Sequence, residues 1–398
     1  MRSLIESRRW LIVLAAVGTL LRFALIALTP KEHFLDEVVY DYIGVSLSHG
    51  LGFKDIGFLA YRAPGQPALI GLIFTLFGHR PVIVEIVGAL LLASLPFLCS
   101  RIGLGLGLSP LAANLGATMA TFHPGLTYAS TTLYPTVLTT VALTSGIWLC
   151  SESLERNRAI WGITAGLALG VAGAATTTFA PFALLAAVII AFKRRLKMAA
   201  LVAVVGLAPA LAWMIRNEIV LHAFVLSTNG GYNLELGAND QATPRSGNWV
   251  DPPLDWTVGE VRFDHNLREQ AMAWIRAHPV RYAELSVLRA LAVFDSVGKP
   301  RTQGLHSGRL AHIAGYALLP VVLLGVAGLI LYRRHSLAWL TAAALALVVF
   351  SSAFTLAKPR FRFPVDPLLC VFAMGTVLTI KRRILPSGYS TSGGGLNG

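Results

Sequence analysis

Charge is scarce in this chain. Only 13% of its 398 residues are Asp, Glu, Lys or Arg, against roughly a quarter in a soluble protein. So little polar surface cannot face water on every side. Cysteine is scarcer still: Cys99, Cys150 and Cys370 all lie in or beside apolar segments, and they form no metal-spaced or disulfide-like set. Redox chemistry is therefore not expected. Acidic residues are outnumbered 20 to 33 by basic ones, a net charge of +13. In a soluble protein that balance would suggest nucleic acid. Here no basic run is interleaved with aromatics, and the basic residues sit at helix ends, so no nucleic-acid partner is expected. The hydropathy pattern also lacks an internal repeat or inverted pseudo-symmetry, which weighs against a secondary transporter.

Hydrophobic residues are abundant, at 55%, with a mean hydropathy of +0.64. Several runs approach the ~20 residues that cross ~30 Å of hydrocarbon. The fold class expected is all-α and integral to a membrane. Arg8 and Arg9 precede an apolar run from Trp10 to Leu28 that is long for a signal peptide and has no small-residue cleavage site after it. It reads as a retained first helix.

Apolar segments at roughly 10–29, 82–100, 109–122, 133–150, 159–178, 180–192, 198–215, 311–332, 336–356 and 366–380 predict about ten transmembrane helices. With the N-terminus inside, Arg2, Arg8, Arg9, Arg101, Arg156, Arg158, Lys193, Arg194, Arg195, Lys197, Arg333, Arg334, Lys381, Arg382 and Arg383 fall on the cytoplasmic side. The short outside connections near 123–132 and 179–181 carry no basic residue. This is the positive-inside pattern, and inverting the chain breaks it. The organisation expected is a transmembrane module over 1–217 carrying a first outer loop (30–81), a large outer loop over 218–310, C-terminal transmembrane helices over 311–386, and a Gly/Ser-rich disordered tail over 387–398.

In the first outer loop, Asp36 to Ser48 has helical character, ended by Gly50 and Gly52. On that helix Asp36 shares a face with Tyr40, and Glu37 with Asp41. A carboxylate pair beside a transmembrane helix end fits a general base; it equally fits a solvated helix N-terminus, where acids meet the dipole. Downstream, Tyr61-Arg62-Ala63-Pro64 precedes an apolar stretch to Phe77. As a full span that stretch would invert the later charge pattern, so it is expected to lie at the outer interface. Arg62 at the same surface can clamp a phosphate bidentately or snorkel as an ordinary interfacial arginine. Arg22 lies inside the first helix, where a charge costs at least ~2.5 kcal/mol. Reaching the interface, pairing with Glu85 and touching a lipid phosphate all remain open for it. His33, His79 and His123 lack metal-ligand spacing, and His123-Pro124 reads as a turn. In the large loop, Asn229-Gly230-Gly231 and Asn239-Asp240 are turn signals, and helices are expected near 258–277 and 280–295, the latter amphipathic and resting on the membrane.

Four motifs in this order carry a resemblance: Asp36-Glu37 after the first helix; Tyr61-Arg62-Ala63-Pro64 before a helix ending Leu76-Phe77-Gly78; Trp213-Met214-Ile215-Arg216-Asn217 opening the large outer loop; and Arg360-Phe361-Arg362-Phe363-Pro364-Val365-Asp366-Pro367 before the last helix. Together they resemble the polyprenyl-phosphate-sugar-dependent glycosyltransferases of the C superfold, in particular the bacterial glycosyltransferase family 39 type, which includes protein O-mannosyltransferases and the lipid A aminoarabinose transferase. The resemblance implies that Asp36 is the base activating the acceptor, with Glu37 in support, and that Arg62 contacts the lipid phosphate. Tyr61, Tyr40, Arg216, Asn217, Arg360, Arg362 and Arg22 complete the expected substrate-binding set. Three positions depart from the family pattern. Tyr61 stands where the aminoarabinose transferase has a metal-binding Glu, and neither a Glu in Ser130–Thr136 nor an Arg near Thr176–Thr178 is present. No cofactor is expected, and a divalent metal is not indicated.

The function expected is sugar transfer from a polyprenyl-phosphate carrier to a glycan, lipid or protein acceptor at the periplasmic face of a bacterial inner membrane, among membrane lipids. Inversion is expected, because one carboxylate-bearing helix is in view where retention wants two flanking groups. The alternative is a flippase or carrier for lipid-linked saccharides, which would share the arginines but need no base.

Overall fold

The structure, a computed structural model, describes residues 2–28, 36–55, 57–244, 258–295 and 308–384. Pro30 to Leu35, with His33, and the tail from 387 lie outside the described residues. The described chain is helical throughout, its only strand-like feature an isolated bridge between Asp55 and Phe58. Among the described residues, five helices are long and apolar enough to cross a membrane by length and composition: α1 (Arg8–Leu28), the broken pair α4 (Pro81–Leu92) and α5 (Leu95–Gly105), α7 (Thr136–Arg156), α10 (Leu196–Leu221) and α15 (Ser336–Phe354). Shorter apolar helices accompany them: α3 (Gly65–Phe77), α8 (Ala159–Ala175), a stretch over Thr177–Phe192 that includes α9 (Phe182–Phe192), and the Gly315–Leu331 part of α14 (Gly308–Leu331). α6 (Pro110–Thr121) has 12 residues, about 18 Å at 1.5 Å per residue. Of the ten spans expected, five thus meet the length and composition of a straight crossing.

Large apolar side chains point outward along these helices, as they do where the solvent is hydrocarbon: Leu20, Phe192 and Val204 are 66%, 83% and 70% exposed. Between helices the packing relies on small residues. A Cβ at Gly166 of α8 would stand 2.9 Å from the Val205 Cβ, and one at Gly170 2.9 Å from the Pro209 Cγ, so α8 lies directly on the α10 backbone. In the 82–100 segment the chain turns at Ala93-Ser94 before Pro96, which has no N–H to continue the ladder.

Three helices meet at the candidate site. α2 (Asp36–Ser48) lies on α3, with Gly44 meeting Ile70 and Phe74, and α3 begins at Gly65 against the Ala174–Ala175 backbone at the end of α8. The helix α10 runs past the expected 215 to Leu221, so Arg216 and Asn217 sit on its last turns instead of in a loop. The expected turn at Asn229-Gly230-Gly231 is the start of a helix, α11 (Gly230–Gly237). A tertiary contact makes the difference: Asp264 of α12 (Glu260–Ala277) accepts from the Gly231 amide at 2.5 Å. α13 (Pro279–Ala292) follows, buried through Tyr282, Leu285 and Arg289 and open at Val287 and Leu291, and the last helix is α16 (Asp366–Ile384).

Candidate active site

Asp36 and Glu37 open α2, where carboxylates meet the positive end of the helix dipole. Being ~100° apart, they face different partners. The Asp36 carboxylate, about one-third exposed, accepts from Arg62 Nη2 at 2.8 Å through Oδ1 and pairs with Arg360 Nη2 at 3.5 Å through Oδ2. Each guanidinium also lies against a tyrosine ring. Arg62 stands 5.0 Å from the Tyr61 centroid and 5.8 Å from that of Tyr40; Arg360 stands 4.4 Å from that of Tyr134. Tyr40 and Tyr134 meet edge to face at 6.3 Å, closing the floor beneath both arginines.

The electrostatics follow from this crowding. Burial by itself would raise the Asp36 carboxyl, but Arg62, Arg360 and Lys358 outweigh it and hold it below the ordinary value. Burial and the nearby Asp36 charge push the Tyr40 phenol to about 12 despite the two arginines, so it is a neutral wall of the site. Three cationic side chains, Arg62, Arg360 and Lys358, stand here with the Asp36 and Asp55 carboxylates.

Glu37 does different work. It is buried and accepts from the Leu133 amide at 3.4 Å, while Gln66 Nε2 donates to the Leu133 carbonyl at 2.9 Å. These two contacts fix the loop that presents Tyr134 to Arg360.

Arg216 and Asn217 do not join Asp36 directly. Arg216 donates to the Leu59 carbonyl at 2.7 Å and to Asn217 Oδ1 at 3.0 Å, over the Trp213 ring at 4.8 Å. Asn217, fully buried, donates to the Val225 carbonyl at 2.9 Å. Arg362 departs furthest from a ligand-binding role. It is fully buried, with Nε on Asp366 Oδ1 at 2.7 Å and Nη1 on the Val293 carbonyl at 2.6 Å. The Asp366 carboxylate also meets His123 Nε2 at 3.0 Å; His123 Nδ1 accepts from the Leu126 amide, which places the ring proton on Nε2. This buried trio ties the last helix to the Pro124 turn, and it holds Arg362 in an internal ion pair. Arg22 is buried as well, and donates to the Thr121 carbonyl at 2.6 Å. Its Nε and Nη1 have no hydrogen-bond partner among the described residues.

Sequence reasoning missed Tyr134, Lys358, Asp55 and Glu260. Lys358 was visible as the first member of a Lys-x-Arg-x-Arg alternation. Asp55 is buried and lies 3.8 Å from Arg62 Nε, and burial pushes its carboxyl up to about 6 against the pull of Arg62. No local signal marks Glu260, whose contacts lie 200 residues upstream. Among the described residues no three His, Cys, Asp or Glu side chains could hold a metal ion. The donor set around Asp36 does not suit one either: two guanidiniums cover its oxygens, and Tyr61 offers no carboxylate.

The fold is all-α and largely membrane-embedded, with five helices among the described residues long and apolar enough to cross a membrane. Among solved structures, the oligosaccharyltransferase of Archaeoglobus fulgidus in its apo form is similar at a TM-score of 0.53 and 13% identity, over 95% of this chain and 52% of that one. The archaeal oligosaccharyltransferase AglB from Archaeoglobus fulgidus, in complex with an inhibitory peptide and a dolichol-phosphate, is similar at 0.52 and 12%, over 94% and 51%. The chain therefore spans about half the length of these structures, and the likeness is one of fold. ArnT from Cupriavidus metallidurans bound to undecaprenyl phosphate scores 0.45 at 14% identity, over 95% and 80%. No family model matches the chain, and no curated protein matches it by sequence.

Proposed function

We propose that this protein is a glycosyltransferase, similar to the family 39 type, that moves a sugar from a polyprenyl-phosphate carrier to an acceptor hydroxyl at the extracytoplasmic face of a bacterial inner membrane. The observation that carries the reading is the shared position of Arg62 and Arg360 on the two oxygens of Asp36. The fold supports it too, since the similar archaeal oligosaccharyltransferase is described in complex with a dolichol-phosphate.

The chemistry follows from competition for the guanidiniums. A donor phosphate entering beside Arg62 and Arg360 draws them toward its own oxygens. Asp36 loses its partners while its burial remains, and desolvation then raises its basicity. The acceptor O–H gives its proton to the Asp36 carboxylate as the acceptor oxygen bonds to the anomeric carbon. The bond from that carbon to the phosphate oxygen breaks, and its electron pair leaves with the polyprenyl phosphate. Arg62 and Arg360 receive the extra negative charge, where aimed donors are worth several kcal/mol. One displacement at one carboxylate gives inversion. The membrane-buried helices accommodate the prenyl tail.

The test is direct. Purified protein in lipid nanodiscs is incubated with a panel of polyprenyl-phosphate sugars, and mass spectrometry follows which donor is consumed. Consumption that stops in Asp36→Asn while the protein still binds polyprenyl phosphate supports an enzyme. Full transfer by Asp36→Asn removes the base, and lipid binding with no consumption of any donor favours a carrier.

A further inference from the structure

The two residues that lead into Tyr61-Arg62 have almost no local structure of their own. Phe58 still pairs with Asp55, its amide and carbonyl closing a tight bridge. Leu59 and Ala60 bond elsewhere. Glu260 Oε2 accepts from the Leu59 amide at 2.6 Å and from the Ala60 amide at 3.4 Å. Arg216 Nη1 donates to the Leu59 carbonyl at 2.7 Å, and the Thr228 amide donates to the Ala60 carbonyl at 3.1 Å. All four backbone polar groups of this dipeptide are thus satisfied from the far half of the chain. Buried backbone groups must be paired, so the path of Leu59–Ala60 exists only while those partners are in place.

Side chains reinforce the same contact. Phe263, one turn after Glu260 on α12, packs 6.2 Å from the Phe58 ring, and Tyr232 of α11 meets Tyr61 at 6.0 Å. The two helices are tied to each other, because Asp264 of α12 accepts from the Gly231 amide of α11. What the large outer loop grips is therefore the strip of backbone that aims Arg62.

We propose that Glu260 is a positioning residue for Arg62, acting through the Leu59 and Ala60 amides, so that the large outer loop must be docked for the lipid phosphate to be held. This rests on the reading above that Arg62 binds phosphate. The large loop thereby acquires a defined role, in which the first turn of α12 templates a binding residue of the first loop. Glu260 touches no substrate in this scheme. Its carboxylate replaces the hydrogen bonds that a strand neighbour would give.

The experiment measures binding of farnesyl phosphate to the full chain in nanodiscs, for Arg62→Ala, Glu260→Ala, Glu260→Gln and the double variant Arg62→Ala/Glu260→Ala. We expect Glu260→Ala to weaken binding about tenfold, the size of losing a charge-assisted hydrogen-bond pair. Glu260→Gln should recover most of it, since the amide oxygen still accepts from both N–H groups. In the Arg62→Ala background, Glu260→Ala should add nothing, because residues acting through one another are non-additive. Hydrogen exchange at the Leu59 and Ala60 amides should rise in both variants that carry Glu260→Ala and stay unchanged in Arg62→Ala. An additive double variant, or Glu260→Ala binding like the parent while Arg62→Ala is weakened, overturns the positioning role and leaves the phosphate reading standing. Unchanged binding in Arg62→Ala overturns both. Should Glu260→Ala not fold, Glu260→Asp, one methylene shorter, replaces it with the same expected weakening.

Discussion

Asp36 and Arg62 meet at 2.8 Å across 26 residues, one at the head of α2 and the other in the irregular segment before α3. Each neutralises the other. A carboxylate so placed is a poor base until something takes the guanidinium away, and a phosphate is the natural competitor. In the proposed transfer this pair would set the order of events, donor first and proton transfer second.

Asp36→Asn should lower transfer by about 10²- to 10⁴-fold, the usual weight of a positioned general base. Binding of a polyprenyl phosphate should be unchanged or tighter, since the arginines lose their competing carboxylate. Single-turnover transfer and equilibrium binding, measured on one preparation, separate the two effects.

Arg360→Ala and Arg62→Ala should each raise the KM for the lipid-linked donor. A lysine at either place should not restore it, because the flat guanidinium against Tyr61 or Tyr134 is matched by no ammonium. A donor KM within about twofold of the parent in Arg360→Ala, too small a change for a lost charge-assisted contact, would place that residue outside the phosphate site.

Asp55 gives a prediction in pH. Its folded-state pKa, about 6, lies above the ordinary 3.8 because burial dominates. Between those values the folded protein binds more protons than the unfolded chain, so this group lowers stability as pH rises from about 4 to about 6. Asp55→Asn should therefore raise the thermal midpoint at about pH 7 and lose that advantage below about pH 4. Melting curves of parent and variant across this range check the sign.

Arg362 should behave as a structural residue. Removing one partner of a buried ion pair costs roughly 3–5 kcal/mol, so Arg362→Ala is expected to lower the melting temperature sharply. Extraction yield and thermal unfolding report it. An Arg362→Ala protein that melts like the parent but binds donor weakly would return the residue to the phosphate site.

Much of this was legible in the residues. Apolar length marked the membrane helices, and Gly50 and Gly52, both at positive φ, ended α2 where the sequence suggested. The two arginines on Asp36 were among the residues singled out by motif order. Arg362 was not separable from Arg360 by sequence, since they stand two apart in one basic motif. A turn of the backbone at Pro359–Phe361 sends Arg360 to Asp36 and folds Arg362 inward onto Asp366. The start of α11 was hidden for a similar reason: Asn229-Gly230-Gly231 favours a turn locally, and Asp264 overrides it.

The sequence by itself determined the solvent this chain lives in, the periodicity of its helices and the chemistry of the side chains on offer. Those are local properties, set by apolar runs and residue types. Only the tertiary structure decided which charges meet, because Asp36 and Arg360 are 324 residues apart and their approach depends on how the intervening helices pack. The same holds for Glu260 and Leu59: a hydrogen bond between distant segments leaves no trace in either one alone.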